Sequence, residues 1–185
     1  MSSPVKYVYA FGAALTEGEA AMKNLLGGKG ANLAEMCRLG ITVPPGFTIS
    51  TEACTEFTDK GQAHVFELIR DEVAQGVARV EGEMGKRFGD PADPLLLSVR
   101  SGARASMPGM MDTILNLGLN DEAVVGLARK ANNERFAWDS YRRFIQMYGD
   151  VVMGLKPVSK EEHGPFEVIV GMVKEKRGVK LDTDL

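Results

Sequence analysis

The feature that most restricts the fold of this chain is a change in the residue pattern near Thr113. Before that residue, short apolar segments alternate with turns that contain glycine and proline, as in strands connected to helices. After it, apolar residues recur at helical spacing. The helical stretches span 120–130, 134–153 and 165–176. The pattern predicts an α+β fold, with a small mixed β-sheet lobe at 1–113 followed by a helical lobe at 114–185.

Individual elements of the first lobe can be placed by their side-chain patterns. Strands are predicted at 6–11, 47–50 and 94–100, and helices at 31–39, from Glu52 onward and at 62–87. The last strand is a continuous apolar run that ends in Arg100, as expected of a buried strand that delivers one charge to a site. Ser50 or Thr51 is predicted to cap the helix that follows. The buried stripe of the helix at 62–87 is predicted to be Phe66, Ile69, Val73, Val77 and Val80.

Buried faces are predicted in the same way for the helical lobe. They consist of Ala137, Tyr141, Phe144, Ile145, Tyr148 and Val152 on its second helix, and of Phe166, Ile169, Val170 and Val173 on its third. The single tryptophan, Trp138, is predicted to lie in the core where helices meet. Arg142 and Arg143 are predicted to be solvated or ion-paired, since adjacent helix positions cannot both point inward.

The composition excludes several classes of function. Lys plus Arg number 22 and Asp plus Glu number 25, so the net charge of −3 provides no basic field for nucleic acid. The longest apolar runs are far shorter than the roughly 20 residues of a membrane span, and the N-terminus lacks a signal pattern, which predicts a cytoplasmic protein. Cys37 and Cys54 predict two reduced, partly buried thiols. His64 and His163 have neighbours that suggest neither a nucleophile nor a metal site.

A glycine loop is predicted at Leu26–Asn32, with the sequence Leu-Gly-Gly-Lys-Gly-Ala-Asn. Its glycines let the backbone approach a ligand, the amides at a helix start favour anions, and Lys29 adds a mobile positive charge. The loop is not a Walker A motif, because Gly30 stands where that motif requires Ser or Thr. Phosphate is the predicted ligand of this loop. The alternative is a helix-entry turn with a surface lysine.

The segment Ser98–Thr113 is the second candidate for phosphate binding, because it places two arginines, three serines and two glycines after a predicted strand. Arg100 can fork onto two phosphate oxygens, and Ser101 and Ser106 can donate hydroxyl hydrogen bonds. The glycines leave room for a moving backbone. The alternative is a structural loop in which Arg100 pairs with a buried carboxylate and the methionines fill the core.

Several segments of the chain together resemble one enzyme family. They are Asn24–Met36, Pro45–Thr51, Ser98–Asn116 and Asp139–Met147. Over nearly the whole chain, they resemble the N-terminal region of the pyruvate, phosphate dikinases, and the run from Met107 to Asn120 resembles that branch in particular. The resemblance implies a partial nucleotide-binding domain of ATP-grasp type, in which two lobes clamp ATP. In such enzymes the β-phosphoryl group passes to a histidine on a separate domain and then to pyruvate.

The resemblance also implies which residues bind. Lys29 and Arg100 match residues that contact the nucleotide phosphates. The rest of the predicted ATP-phosphate site consists of Gly28, Gly30, Ser101, Arg104, Ser106 and Gly109. Mg²⁺ is expected to accompany ATP, with its ligands outside this chain. The implied partners are ATP or AMP, phosphate, and the phosphohistidine and pyruvate-binding domains, in a homodimeric full-length enzyme.

The sequence contains no Thr-Ser-His-Ala-Ala stretch and nothing like the family's pyruvate-binding barrel, so it predicts an ATP-binding fragment without a complete catalytic site. Two alternatives stay open. One is a phosphoenolpyruvate synthase type of dikinase, in which water replaces phosphate. The other is a short, non-catalytic module that binds nucleotide or a partner protein. Half of a two-lobed clamp would expose an apolar face, which predicts self-association or modest stability.

Overall fold

The computed structural model describes residues 5–102, 111–155, 157 and 163–184, and it shows a mixed α/β chain with small sheets and six helices within those ranges. The strands are β1 (Val8–Phe11), β2 (Gly46–Ile49), β3 (Arg87–Phe88), β4 (Pro94–Leu95), β5 (Leu97–Arg100) and β6 (Thr113–Leu117). The helices are α1 (Lys23–Arg38), α2 (Thr51–Lys60), α3 (Gln62–Met84), α4 (Ala123–Ala131), α5 (Glu134–Val151) and α6 (Pro165–Arg177). The described strands pair two by two: β1 with β2, β3 with β4, and β5 with β6.

The first sheet pairs β1 with β2 in antiparallel register, as the two apolar segments predict. The outer side of β1 is occupied by carboxylates. Glu72 of α3 accepts hydrogen bonds from the amides of Tyr7 and Val8, at 2.9 and 2.8 Å. Glu17 accepts from the Ala10 amide at 2.8 Å, and its own amide donates to the Ala10 carbonyl at 2.9 Å. Glu17 therefore pairs with Ala10 much as a residue of a neighbouring strand would.

Helix α1 starts earlier than the sequence predicts, and it is interrupted at Gly27. That residue has φ 68° and ψ 168°, a conformation that only glycine adopts readily. The chain is helical before Gly27 and becomes helical again at Gly28. The predicted glycine loop is therefore a break inside a helix that begins at Lys23.

Helix α3 packs against α2 and the β1–β2 sheet. The core at this contact is formed by Tyr7, Ala53, Val65 and Ile69, with Val73 beside it. Ile69 and Val80 are buried as predicted, but the prediction for Phe66 is wrong, because its side chain is 60% exposed. Val65 takes its place near the start of the helix, whereas Ile69 and Val80 keep their predicted positions in the core. Gly76 contributes to the same face, where the Phe47 ring packs in the space that a side chain would fill.

The start of α2 differs from the predicted cap. Ser50 occupies the N-cap position, but its buried hydroxyl has no hydrogen-bond partner among the described residues. Thr51 donates instead to the Asn24 carbonyl of α1, at 2.6 Å. The Ser50 amide donates to the Tyr7 carbonyl, so Ser50 belongs to the end of the β1–β2 ladder.

The single buried strand predicted at 94–100 is divided into two short strands. β4 pairs with β3 in parallel, and β5 pairs with β6 in antiparallel with an irregularity between Leu97 and Val99. Pro94 and Leu95 are buried, whereas Val99 is 47% exposed. The prediction of burial is therefore wrong for the second half of this segment. β6 begins at Thr113, where the predicted lobe boundary falls, and it pairs back onto β5. The division into two lobes stays a prediction.

The three predicted helices of the second half are confirmed as α4, α5 and α6, but their packing differs from the prediction. Helix α4 packs on α5 through Val124, Ala128 and Ala137. Trp138 is 50% exposed, so its predicted place in the core is wrong. The predicted faces are also largely exposed, at Ile145 and Tyr148 of α5, at Val152 directly after it, and at Ile169 and Val173 of α6. Their partial cover among the described residues comes from α4, which contacts Ala137 and Tyr141, and from the packing of Phe166 against Gly149.

Arg142 and Arg143 both pair with Asp139, at 2.8 and 2.9 Å, which confirms the ion-paired alternative. Cys37 is half-buried, but Cys54 is exposed, so the prediction of partial burial fails for the second thiol. In the described ranges, no helix has both the length and the apolar character needed to cross a membrane.

Candidate phosphate-binding site

The break at Gly27 sets the geometry of the candidate site, because it creates a new helix start within α1. Gly28, Lys29 and Gly30 lie in the first turn after the break. The amides of a first helical turn have no acceptor within their own helix, and the helix dipole places partial positive charge there. Lys29 is exposed, so its ammonium group adds a full positive charge beside these amides.

The two segments predicted to bind phosphate come together in space. The Nζ atom of Lys29 donates a hydrogen bond to the carbonyl oxygen of Ser101, at 2.8 Å, across 72 positions of the chain. Ser101 directly follows β5. Its amide and its hydroxyl both donate to the Asp112 carbonyl, at 3.1 and 2.9 Å. This contact joins the start of the interrupted helix to the end of the β5–β6 pair.

Arg100 is the last residue of β5 and lies opposite Thr113 of β6. Its side chain is exposed, and its Nε atom donates to the Ser98 hydroxyl at 3.3 Å. Among the residues that the structure describes, no carboxylate forms an ion pair with Arg100. The alternative in which a buried carboxylate holds this guanidinium therefore finds no support in the described residues.

The two predicted glycines differ in what surrounds them. A Cβ atom at Gly28 would meet nothing within 4 Å, so the backbone is open to a ligand there. Gly30 is buried, and a Cβ atom would meet the Thr48 side chain of β2 at 2.7 to 2.8 Å. Gly30 therefore serves the packing of α1 on β2. Arg104, Ser106 and Gly109 lie outside the described residues.

The sequence prediction missed three residues that shape this region. Gly27 makes the break, Thr48 packs on Gly30, and Asp112 accepts both hydrogen bonds from Ser101. The pair of consecutive glycines is a signal for the first. The other two carry no local signal, because their contacts join positions far apart in the chain.

Chelating groups do not converge on this region. Among the described residues, no cluster of three or more His, Cys, Asp or Glu side chains is arranged to hold a metal ion. His64 instead contacts Glu56 at 3.0 Å, and His163 contacts Glu167 at 3.3 Å. The groups at the candidate site are cations, backbone amides and a hydroxyl, which suit an anion and do not fit a resident Mg²⁺.

Two clefts lie elsewhere on the described surface. One of about 320 Å³ lies between β4 and α4, where Lys86 and Lys130 converge on Asp93. Hydrogen bonds from Lys130 and then Lys86 hold the pKa of the Asp93 carboxyl below its ordinary value. The other cleft, of about 200 Å³, separates α5 from α6. Neither is lined by Lys29 or Arg100.

Comparison with known families identifies the family of this chain. A family described as the pyruvate phosphate dikinase AMP/ATP-binding domain matches residues 23–73 and 67–143, which include both Lys29 and Arg100. The chain belongs to this family. The resemblance drawn from the motifs is thereby confirmed, and the chain corresponds to AMP/ATP-binding sequence of a pyruvate, phosphate dikinase.

Individual dikinases match nearly all of the chain. It is 58% identical over 180 residues to pyruvate, phosphate dikinase of Clostridium symbiosum, covering 97% of this chain and 19% of that protein. The Rhizobium meliloti (strain 1021) enzyme is 57% identical with the same coverage. The chloroplastic enzyme of Mesembryanthemum crystallinum is 54% identical over 184 residues, which cover 100% of this chain and 18% of that protein. The chain thus spans about a fifth of the length of these dikinases.

Proposed function

We propose that this chain binds the phosphates of ATP or AMP through Lys29 and Arg100. It would do so as part of an enzyme that interconverts ATP, phosphate and pyruvate with AMP, pyrophosphate and phosphoenolpyruvate. The observation that carries the proposal is the hydrogen bond between Lys29 and the Ser101 carbonyl, because it brings two cation-bearing segments to one place. The names of the relatives favour this reaction over that of a phosphoenolpyruvate synthase.

The chemistry of phosphoryl transfer suits such an arrangement. The protein must neutralise charge that spreads over the phosphate oxygens, and it must hold donor and acceptor in line. The ammonium of Lys29 is a compact, mobile charge, whereas the guanidinium of Arg100 can donate two parallel hydrogen bonds to one phosphate. Gly28 leaves the backbone open for close approach, and the adjoining helix start favours anions.

Several further parts of the proposal concern the whole enzyme. An ATP-grasp fold, a phosphohistidine relay and a homodimer are proposed from the family resemblance. Mg²⁺ would enter with ATP and screen its phosphates, and its protein ligands would lie outside this chain. A cytoplasmic location stays a prediction, because both bacterial and chloroplastic dikinases are similar to this chain. Arg104, Ser106 and Gly109 likewise stay predicted phosphate contacts.

Calorimetric titration of the chain with Mg-ATP tests the proposal. We expect Lys29→Ala and Arg100→Ala each to weaken binding by about 1.5–3 kcal/mol, the range for hydrogen bonds to charged groups. Lys176→Ala and Arg177→Ala are matched controls, because both residues are exposed on α6. Each control substitution removes the same charge as its counterpart at the site. Equal losses in the α6 variants would indicate a diffuse electrostatic effect. Binding that survives both site substitutions unchanged would refute the proposal.

A further inference from the structure

Ser101 has every one of its polar groups engaged in the described structure. Its amide and its hydroxyl donate to one acceptor, the carbonyl oxygen of Asp112, at 3.1 and 2.9 Å. Its own carbonyl accepts from Nζ of Lys29 at 2.8 Å. A serine hydroxyl carries a single proton, so the hydroxyl that donates to Asp112 cannot donate to a phosphate at the same time.

We infer that Ser101 is a positioning residue, which sets the place of the Lys29 ammonium group and does not itself hold the phosphate. This inference rests on the proposed function of Lys29. Two donors from one residue onto one carbonyl fix both the backbone and the side-chain rotamer of Ser101. The carbonyl that faces Lys29 belongs to the same residue, so the ψ torsion of Ser101 alone separates it from these restrained atoms.

The surroundings of Ser101 make this restraint necessary. β5 ends at Arg100, and the next residue after Ser101 is Gly102, which is exposed and has open space where a side chain would be. The amide and the hydroxyl of Ser101 are held by Asp112. Among the described contacts, its carbonyl is held only by Lys29. Ser101 and Asp112 therefore extend the β5–β6 pair by one residue on each strand. The carbonyl of Ser101 in this extension is the acceptor for Lys29.

Fixing that acceptor prepares the lysine for an anion. Lys29 has a flexible four-carbon stem, and holding such a side chain costs conformational entropy. One of its three N–H donors is used on Ser101, which leaves two for phosphate oxygens. The ammonium group is then held at the Ser101 carbonyl before a ligand arrives, so less entropy is lost on binding.

A double-mutant cycle tests this inference. Mg-ATP and adenosine are titrated into wild type, Ser101→Ala, Ser101→Thr, Lys29→Ala and the Ser101→Ala/Lys29→Ala double variant. We expect Ser101→Ala to weaken Mg-ATP binding about three- to tenfold, in keeping with one hydrogen bond, and Ser101→Thr to restore it. Adenosine affinity should not change. Ser101→Ala should cost nothing further when Lys29 is already alanine, because the serine acts through the lysine.

A second measurement does not depend on nucleotide binding. Carbon relaxation by NMR reports the order of the Lys29 Cε methylene in the ligand-free chain. We expect that order to fall in Ser101→Ala and to recover in Ser101→Thr, while Lys176 on α6 stays unchanged. If wild type binds no Mg-ATP, the proposed function fails and this measurement still decides the inference. Additive losses in the cycle, or unchanged Lys29 order, would overturn it.

Discussion

Ile69 in α3 and Ile169 in α6 are isoleucines on the apolar stripes of two amphipathic helices, but the first is buried and the second is exposed. Ile69 is 9% exposed and packs with Tyr7, Ala53 and Val65, whereas Ile169 is 57% exposed. The β1–β2 sheet and α2 cover α3, while α6 approaches α5 mainly where Phe166 packs at Gly149. An apolar stripe thus determines which face of a helix is ready for burial. Whether that face is buried depends on another element.

The largest expected difference comes from truncating each isoleucine to alanine. Ile69→Ala removes buried methyl groups and leaves a cavity, so we expect the free energy of unfolding to fall by about 2–4 kcal/mol. Ile169→Ala changes little that is buried, and we expect an effect within about 0.5 kcal/mol. Urea unfolding followed by circular dichroism measures both. Similar losses in the two variants would mean that α6 is covered in solution, for example by self-association.

Glycine substitutions sharpen the same comparison at a smaller scale. In Gly30→Ala the new methyl group would collide with Thr48, and we expect a loss of about 1–3 kcal/mol from overpacking. In Gly171→Ala the methyl group would meet open space on α6, and we expect a gain of about 0.5–1 kcal/mol from helix propensity. Adding Thr48→Ala to Gly30→Ala should recover part of the loss. A Gly30→Ala chain as stable as wild type would contradict the packing role.

The smallest effect concerns pH and the carboxylate beside β1. Partial burial raises the pKa of Glu17, but hydrogen bonds from Lys6 and the Ala10 amide, with the attraction of Lys6 and Arg79, outweigh it and hold the pKa below its ordinary value of 4.5. The charged form therefore stabilises the fold above the unfolded-state pKa, and this contribution is lost as pH falls through the folded-state value.

We accordingly expect the stability difference between wild type and Glu17→Gln to be constant above about pH 6 and to shrink as the pH falls below the ordinary value of 4.5. Denaturant unfolding across this pH range provides the measurement. Glu67→Gln on the exposed side of α3 is the control and should show no comparable trend. A difference that grows on acidification would have the wrong sign and would contradict the role of Glu17.

Local signals in the sequence predict most elements but fewer of their contacts. β1, β2 and the three last helices follow from short-range patterns, and their observed bounds lie within a few residues of the prediction. The burial of Val65 in place of Phe66 depends on Tyr7 and Ala53, which pack with Val65 from other segments of the chain. β6 was missed because its five residues pair with β5 across a connection that the pattern does not specify.

At the candidate site, too, local signals predict the residues but not the contacts between them. Residue types alone single out Lys29 and Arg100, because glycine-rich turns with cations suit phosphate. The contact of Lys29 with Ser101 joins residues 72 positions apart, and only the folded chain reveals it. The break at Gly27 also depends on the fold, since a glycine pair is equally compatible with a loop before a helix.

The carboxylates beside β1 have a consequence for assembly. An edge strand with free amides is a template onto which a strand of another molecule can add, and this is a common route to aggregation. The amides of Val8 and Ala10 already donate to Glu72 and Glu17. An intruding strand would therefore have to displace two charged acceptors to pair with this edge. Any contact between copies of the chain would more readily involve the exposed side chains of α5 and α6 than the edge of β1.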